Sequence, residues 1–217
     1  MITVEEIPAS EAAPWILTRH YARRMCPISF AFGAFRDGML IGVVTYGKPC
    51  SPHLCRGLCG EDWSDNVTEL NRLCCDNEQN IASALVGRSL RMIPRPSIVV
   101  SYADTGKGHV GYVYQATNFL YTGITDDGRK TPRTDRIVVD GRHGRHEARV
   151  NGCDKVDVSK GVLVYRKPKH RYVYFCGDRR QVKAMRAALK YPIEPYPKGE
   201  SRRYDASAVV QTQGVLF

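Results

Sequence analysis

The 217-residue chain has no run approaching the roughly 18 apolar residues that cross a bilayer as a helix. Its opening segment, MITVEEIPAS, carries two adjacent glutamates and lacks the layout of a signal peptide. No membrane partner is expected, and the expected compartment is a cytoplasm. No CxxC pair set occurs among the eight cysteines, which are expected to stay mostly reduced there. The nearest approach to a metal motif is CSPHLCRGLC, with Cys50, His53, Cys55 and Cys59. The residue types suit zinc, but the spacing is irregular, so a Cys-rich loop without metal is expected. Negative charge is also scarce: 22 Asp and Glu stand against 32 Lys and Arg, a net charge of +10. A chain with pI near 9.3 is expected to meet a polyanion or an anionic surface. There is no internal repeat and no low-complexity tract.

What remains is a chain that is 43% hydrophobic, enough for a real core. Residues 10–25 read as a helix with Ser10 as N-cap. ISFAFGAF and MLIGVVTY read as strands joined by a hairpin at Arg36-Asp37-Gly38. Residues 47–65 read as a loop and VTELNRLCC as a strand. A helix is expected from Asn80 to about Ile93, stopped by Pro94 and Pro96. Strand 97–103, a helix over 109–117 and a strand over 119–124 follow. Residues 126–158 are charged and turn-rich, with RIVVDGRHGRHEARV reading as a basic hairpin inserted into the domain. GVLVYRK and RYVYFCG return to the main sheet. Asp178 opens a helix with Gln181 three residues on, a capping-box pattern. Residues 191–217 form a basic Pro/Tyr tail. The fold class expected is α/β (α+β): one domain over 1–217, with a mixed central sheet flanked by helices.

The stretch SYADTGKGHVGYVYQATNFLYTG (101–123) holds the densest chemistry. A buried strand runs into Ser101, Tyr102 and Asp104 and then a glycine-rich turn, a common place for catalytic groups in open α/β sheets. Asp104 could accept a proton or cap the turn as an Asx residue. Strict alternation sets Ser101 and Asp104 on opposite faces, so they converge only if the strand ends or twists. In the strand 67–75, Glu69, Asn71 and Arg72 are costly if buried without partners. Alternation puts Glu69 and Asn71 on one face and Arg72 on the other, and an ion pair between Glu69 and Arg72 is an open alternative to a functional role. On the helix expected over 109–117, Asn118 lies four residues from Tyr114 and near its face, whereas His109 does not.

The element order and YQATNFLYTG resemble the GNAT acyltransferase fold. Within it, ELNRL (69–73), residues 101–123, HRYVYF (170–175) and YPK (196–198) resemble the Mom proteins of bacteriophages, over roughly residues 15–200. The resemblance implies conversion of adenine N6 in phage DNA to a carbamoylmethyl-type derivative, protecting it from restriction in the cytoplasm of the infected bacterium. It implies Tyr114 as general acid, and Glu69, Asn71 and Arg72 beside the donor, with Ser101 and Asp104 completing the catalytic set. His20 and Tyr21 would line the base pocket, with Tyr102, His109 and Asn118. Double-stranded DNA would need a flipped base, on which Tyr112 or Tyr121 could stack.

GNAT enzymes hold the CoA diphosphate on a glycine-containing loop before a helix. This chain has DNEQNIASALVGR there, with no glycine before the helix and with Asp76 and Glu78 adding negative charge. Asn80, Ala82 and Ser83 are small enough for close backbone approach to a donor. The departure puts acetyl-CoA in doubt and favours glycyl-tRNA as donor, which would add tRNA to the partners. Twelve Lys and Arg against three acids between Tyr165 and Arg203 form the candidate phosphate face, Arg179, Arg180, Lys183 and Lys198 among them. The rival readings are an ordinary GNAT N-acetyltransferase and a non-enzymatic nucleic-acid-binding protein.

Overall fold

Runs of β-branched and aromatic residues build a seven-stranded sheet from β1 (Ile2–Glu6), β2 (Phe30–Arg36), β3 (Met39–Gly47), β4 (Val67–Cys75), β5 (Ser97–Asp104), β6 (Leu120–Ile124) and β9 (Lys169–Cys176). The computed structural model describes residues 1–125, 134–137, 162–165 and 167–199, with the backbone alone for 134–137 and 162–165. The strand order is β1-β2-β3-β4-β5-β9-β6. β4 and β5 are parallel, and the other neighbours are antiparallel.

Alternation along the strands splits the core into two faces. One face, with Phe32, Val44, Leu70, Val99 and Tyr172, packs under α3 (Ile81–Ser89) and α4 (Tyr112–Ala116). On the other, Ile98, Val100, Val173 and Phe175 meet α2 (Pro52–Cys59) and α5 (Arg179–Ala188), while Ala31, Val43 and Cys74 meet α1 (Ala9–Thr18). The expected mixed sheet with helices on its faces is therefore present. Among the described residues, no helix is long and apolar enough to cross a membrane.

Several local expectations hold. Asp37 and Gly38 turn the β2–β3 hairpin with positive φ. The α5 capping box is complete: Asp178 Oδ1 accepts from the Gln181 N–H, and the Asp178 N–H donates to Gln181 Oε1.

Others differ for physical reasons. The first helix starts at Ala9 after Pro8 and ends at Thr18, so Ser10 is not its cap and His20 and Tyr21 sit on the loop that follows. Residues 47–65 are not all loop: Ser51 caps α2 by accepting from the Leu54 N–H, with Pro52 in the first turn. The helix expected over 109–117 shortens to α4, because Gly108 and Gly111 take left-handed φ and leave His109 outside it. β1, a half-polar edge strand, had no strong signal. β7 (Thr134–Ile137) and β8 (Val162–Tyr165) pair with each other as a separate ladder, so GVLVYRK does not rejoin the main sheet. The rest of the hairpin over 136–150, and residues 200–217 of the tail, lie outside the described residues.

Gly111 has φ of 88°, and a Cβ there would lie 2.5 Å from the Tyr172 ring. Gly111→Ala should cost about 2–4 kcal/mol through left-handed strain and overpacking, read as a lower urea midpoint at unchanged slope. A loss below about 1 kcal/mol would show that the Tyr172 ring moves aside freely.

Candidate active site

The site forms where the sheet opens. β4 and β5 pair only from Val67, Thr68 and Glu69 to Ile98, Val99 and Val100. Beyond Glu69, β4 continues against β3, and beyond Val100, β5 continues against β9, so the two strands part. A cleft of about 390 Å³ lies between them, lined from Arg19–Tyr21, Glu69–Cys75, Ala82, Tyr102–Ala103, Gly108–Tyr114 and Lys169. Ser101 bridges the start of the gap, its hydroxyl donating to Leu70 O at 2.8 Å.

A β-bulge then rearranges β4. Tyr46 pairs with Leu70 and Thr45 with Arg72, leaving Asn71 as the extra residue. The bulge puts Glu69 and Arg72 on the same face, against the alternation expected from sequence. Asn71 is spent on structure: its Oδ1 accepts from Thr45 Oγ1 at 2.7 Å and from Cys26 Sγ at 3.2 Å, and its Nδ2 donates to Pro27 O at 2.7 Å. Arg72 is held by main-chain carbonyls, with Nε and one terminal nitrogen donating to Arg24 O and the other to Asn71 O.

Burial raises the Glu69 carboxyl above its ordinary range, and the positive charges of Arg72 and Lys169 oppose the rise. Asp104 ends β5 and caps the next turn, accepting from the Gly106 N–H at 2.9 Å, with Lys169 Nζ 3.8 Å from its other oxygen. Ser101 and Asp104 remain on opposite faces, near the parted strand ends. Tyr114 is buried beside Phe119 and Tyr172 at ring separations of 5.3 and 5.2 Å. Burial pushes its hydroxyl up to about 12; a hydrogen bond with Ser101 lowers it, and the Glu69 charge raises it.

Tyr21 lies between two imidazoles, 4.3 Å from the His20 ring and 5.5 Å edge-on to His109. Burial raises its phenol further, and the Asp104 charge adds to that rise. His20 is 7% exposed, and its Nδ1 accepts from the Ala22 N–H at 3.0 Å. Burial first, then Arg72, His109, Arg24 and Lys169, lowers its pKa to about 3. It is therefore neutral near pH 7, with its proton on Nε2. Burial also lowers His109, while Asp104 raises it.

The cleft thus gathers Glu69, Asn71, Arg72, Tyr102, His109, Tyr112, Tyr114, His20, Tyr21 and Ala82 from the expected set. Others stand apart. Tyr121 is buried with its hydroxyl on His170 Nδ1 at 2.9 Å, and Asn118 is exposed, closing α4 at φ of 61°. Asn80 takes a left-handed φ at the start of α3, and Ser83 Oγ donates to Asn80 O. Asp76 and Glu78, expected to repel a diphosphate, are paired with Arg19 and Arg36. Arg179, Arg180 and Lys183 are exposed along α5, and Lys198 is exposed on the segment after it.

Sequence reasoning missed Lys169, because only the β5–β9 register brings it to Asp104. Of the four residues of the CSPHLCRGLC segment, Cys55 and Cys59 face the core from α2, while Cys50 and His53 are exposed. Among the described residues, no group of three or more His, Cys, Asp or Glu side chains is placed to hold a metal ion.

The neutral His20 has a measurable consequence. The unfolded chain takes up a proton near pH 6.5 and the folded chain only near 3, so this term is lost as pH falls through that window. Between pH 7 and 4.5, wild type should lose about 2–3 kcal/mol more stability than His20→Asn, measured by urea unfolding at each pH. An equal loss in both would show that His20 protonates freely in the folded state.

Solved acetyltransferases of the GNAT family are similar in structure. One from Bacillus cereus is 11% identical with a TM-score of 0.44, covering 81% of this chain and 97% of that one. One from Streptococcus pneumoniae is 9% identical with a TM-score of 0.44, covering 82% and 100%. In sequence, methylcarbamoylase mom of Escherichia phage Mu is 29% identical over 213 residues, covering 91% of this chain and 84% of that protein. The model of the Mom protein family matches residues 1–198, and the chain belongs to that family.

Proposed function

We propose that this chain is a DNA-modifying transferase of phage DNA, placing an acyl-derived group on adenine N6. The product is a carbamoylmethyl-type adduct that protects the DNA from restriction in the cytoplasm of the infected bacterium. The observation that carries this reading is the parting of β4 and β5, which sets Glu69 and Tyr114 on one cleft, with Asp104 following the lining residues Tyr102 and Ala103 and facing the lining residue Lys169. Family membership and a relative named methylcarbamoylase support it.

Adenine N6 is a weak nucleophile because its lone pair is delocalised into the ring, so attack on an acyl carbon needs a nearby proton acceptor. Asp104, with one oxygen held by Gly106 N–H and the other toward Lys169, takes the N6 proton. Tyr114 stays protonated well above neutral pH and gives its proton to the leaving atom, turning away from Ser101. Arg72, fixed by carbonyls, supplies positive charge for the developing oxyanion. Tyr102 and the neutral His20, beside Tyr21 and His109, line the base pocket. Flipping the base costs a few kcal/mol, and the half-exposed ring of Tyr112 offers it a stacking surface. Tyr121 is too buried for that role.

The donor proposed first is glycine on tRNA. Acylation forms N6–CO–CH2–NH2 and releases the tRNA hydroxyl. The free amine then adds to C6 through a five-membered ring and the original C6–N6 bond breaks, giving N6–CH2–CO–NH2 with the same atoms. Acetyl-CoA is the second reading. The arginine pairing of Asp76 and Glu78 favours it, because it removes the charge objection at the start of α3.

Nucleoside mass spectrometry of plasmid DNA from expressing cells should show a new adenine derivative. Unmodified DNA would favour an ordinary N-acetyltransferase or a non-enzymatic binding protein. In the same assay, Asp104→Asn and Tyr114→Phe should each lower modification on the order of 10²-fold. Wild-type levels in either would remove that residue from its role. Reconstitution with ¹³C-glycyl-tRNA beside ¹³C-acetyl-CoA separates the donors, since label from acetyl-CoA alone would overturn the glycyl step. Neutralising Arg179, Arg180 and Lys183 should flatten the log–log salt dependence of DNA binding by about 0.9 per lost phosphate contact. An unchanged slope would take α5 off the DNA.

A further inference from the structure

The Tyr114 hydroxyl is carried by α4, a helix of five residues whose N-cap, Gly111, makes no side-chain cap bond. One turn of helix does not hold itself in water, so its position depends on contacts from elsewhere. Tyr172, fully buried on β9, donates its hydroxyl proton to Val110 O at 2.5 Å and lays its ring against Gly111 and Tyr114. The segment after α5 arrives from the other side, with Gly199 bonded to the Tyr112 hydroxyl through both its carbonyl and its N–H.

Gln115 joins these supports. From the residue next to Tyr114, its Nε2 donates to Tyr172 Oη at 3.2 Å and to Pro197 O at 3.3 Å. One amide nitrogen thus ties α4, β9 and the C-terminal segment together. The Tyr172 hydroxyl spends its own proton on Val110 O and accepts from Gln115, so the chain runs in one sense from Gln115 through Tyr172 to the rim of the cleft.

We propose that Gln115 is a positioning residue of the transfer reaction, acting through α4 on the Tyr114 hydroxyl. The role rests on the reading of Tyr114 as proton donor. It does not require Gln115 to touch substrate. Gln115 is absent from the cleft lining, whereas its neighbour Tyr114 is part of it. Removing the amide leaves two acceptors, Pro197 O and the Tyr172 hydroxyl, without that donor, and it frees α4 to shift relative to Ser101.

The test uses the full chain. In Gln115→Leu, which has similar volume and no donor, kcat for DNA modification should fall at least ten-fold. KM for DNA should stay within two-fold and the thermal midpoint within a few degrees. In a Tyr114→Phe background, the same change should slow the reaction little further, since the two act as one unit. An independent readout needs no DNA: with ¹³Cζ-tyrosine labelling, the Tyr114 resonance should titrate at lower pH in Gln115→Leu, as water reaches a hydroxyl that burial had held near 12. Should Gln115→Leu fail to fold, Tyr172→Phe keeps the ring packing, removes the middle of the chain and should move both readouts the same way. An unchanged Tyr114 titration, an unchanged kcat, or an equal slowing with and without the Tyr114 hydroxyl overturns the positioning role. Full activity of Tyr114→Phe instead overturns the proposed chemistry, and the titration still reads the positioning by itself.

Discussion

The structure depends on the parting of two parallel strands. β4 and β5 share three paired positions and then diverge, while each remains bonded to its outer neighbour. The inner edges of Leu70–Cys75 and Ser101–Asp104 thereby lose their ladder partners, and buried backbone groups left without partners are costly. Side chains fill part of that need. Ser101 supplies a donor to Leu70 O, and Arg72 supplies one to Asn71 O. The polar residues at these strand positions follow from the opening, which would be unstable with apolar residues alone.

The electrostatics of the cleft follow from the same opening. Glu69 is half-buried where the strands part, with Arg72 and Lys169 acting on it through space. Those two cations also help to keep His20 neutral. The result is a set of fixed charges separated by neutral hydrogen-bonding groups, with His20, Tyr21 and Tyr114 all held in their uncharged forms near pH 7. Such a pocket offers directional hydrogen bonds to a neutral base and keeps a proton available at Tyr114.

Features set by local pattern were legible in the sequence. β4 matches its expected bounds, β5 extends one residue further, and the Asp37-Gly38 turn and the Asp178 capping box rest on residues close in sequence. Features set by distant partners were not. The Asn71 bulge depends on its register with β3, so alternation misplaced Arg72 relative to Glu69. His20 and Tyr21 were read onto a helix that stops at Thr18, and their approach to His109 comes from packing across the cleft. The acids at Asp76 and Glu78 looked unfavourable because their arginine partners lie 57 and 42 residues away.

The C-terminal charge also divides once the contacts are known. β6 is an edge strand, and exposed edges invite unwanted pairing. The segment after α5 covers it: the Glu194 N–H donates to Tyr121 O, and the Tyr196 hydroxyl donates to Phe119 O. Tyr191 stacks under the Arg171 guanidinium, which itself donates to Thr122, so Arg171 is occupied within the fold. A stretch that reads from composition as a basic tail is, through Gly199, part of the sheet's edge and of the support for α4. Among the described residues, exposed charge for a polyanion remains at Lys198 on this segment and along α5. Met185 anchors α5 in the core, while Arg179, Lys183 and Arg186, at spacings of four and three, share its exposed side. The same helix can therefore brace the sheet and present a row of positive charge, because the two tasks use opposite faces.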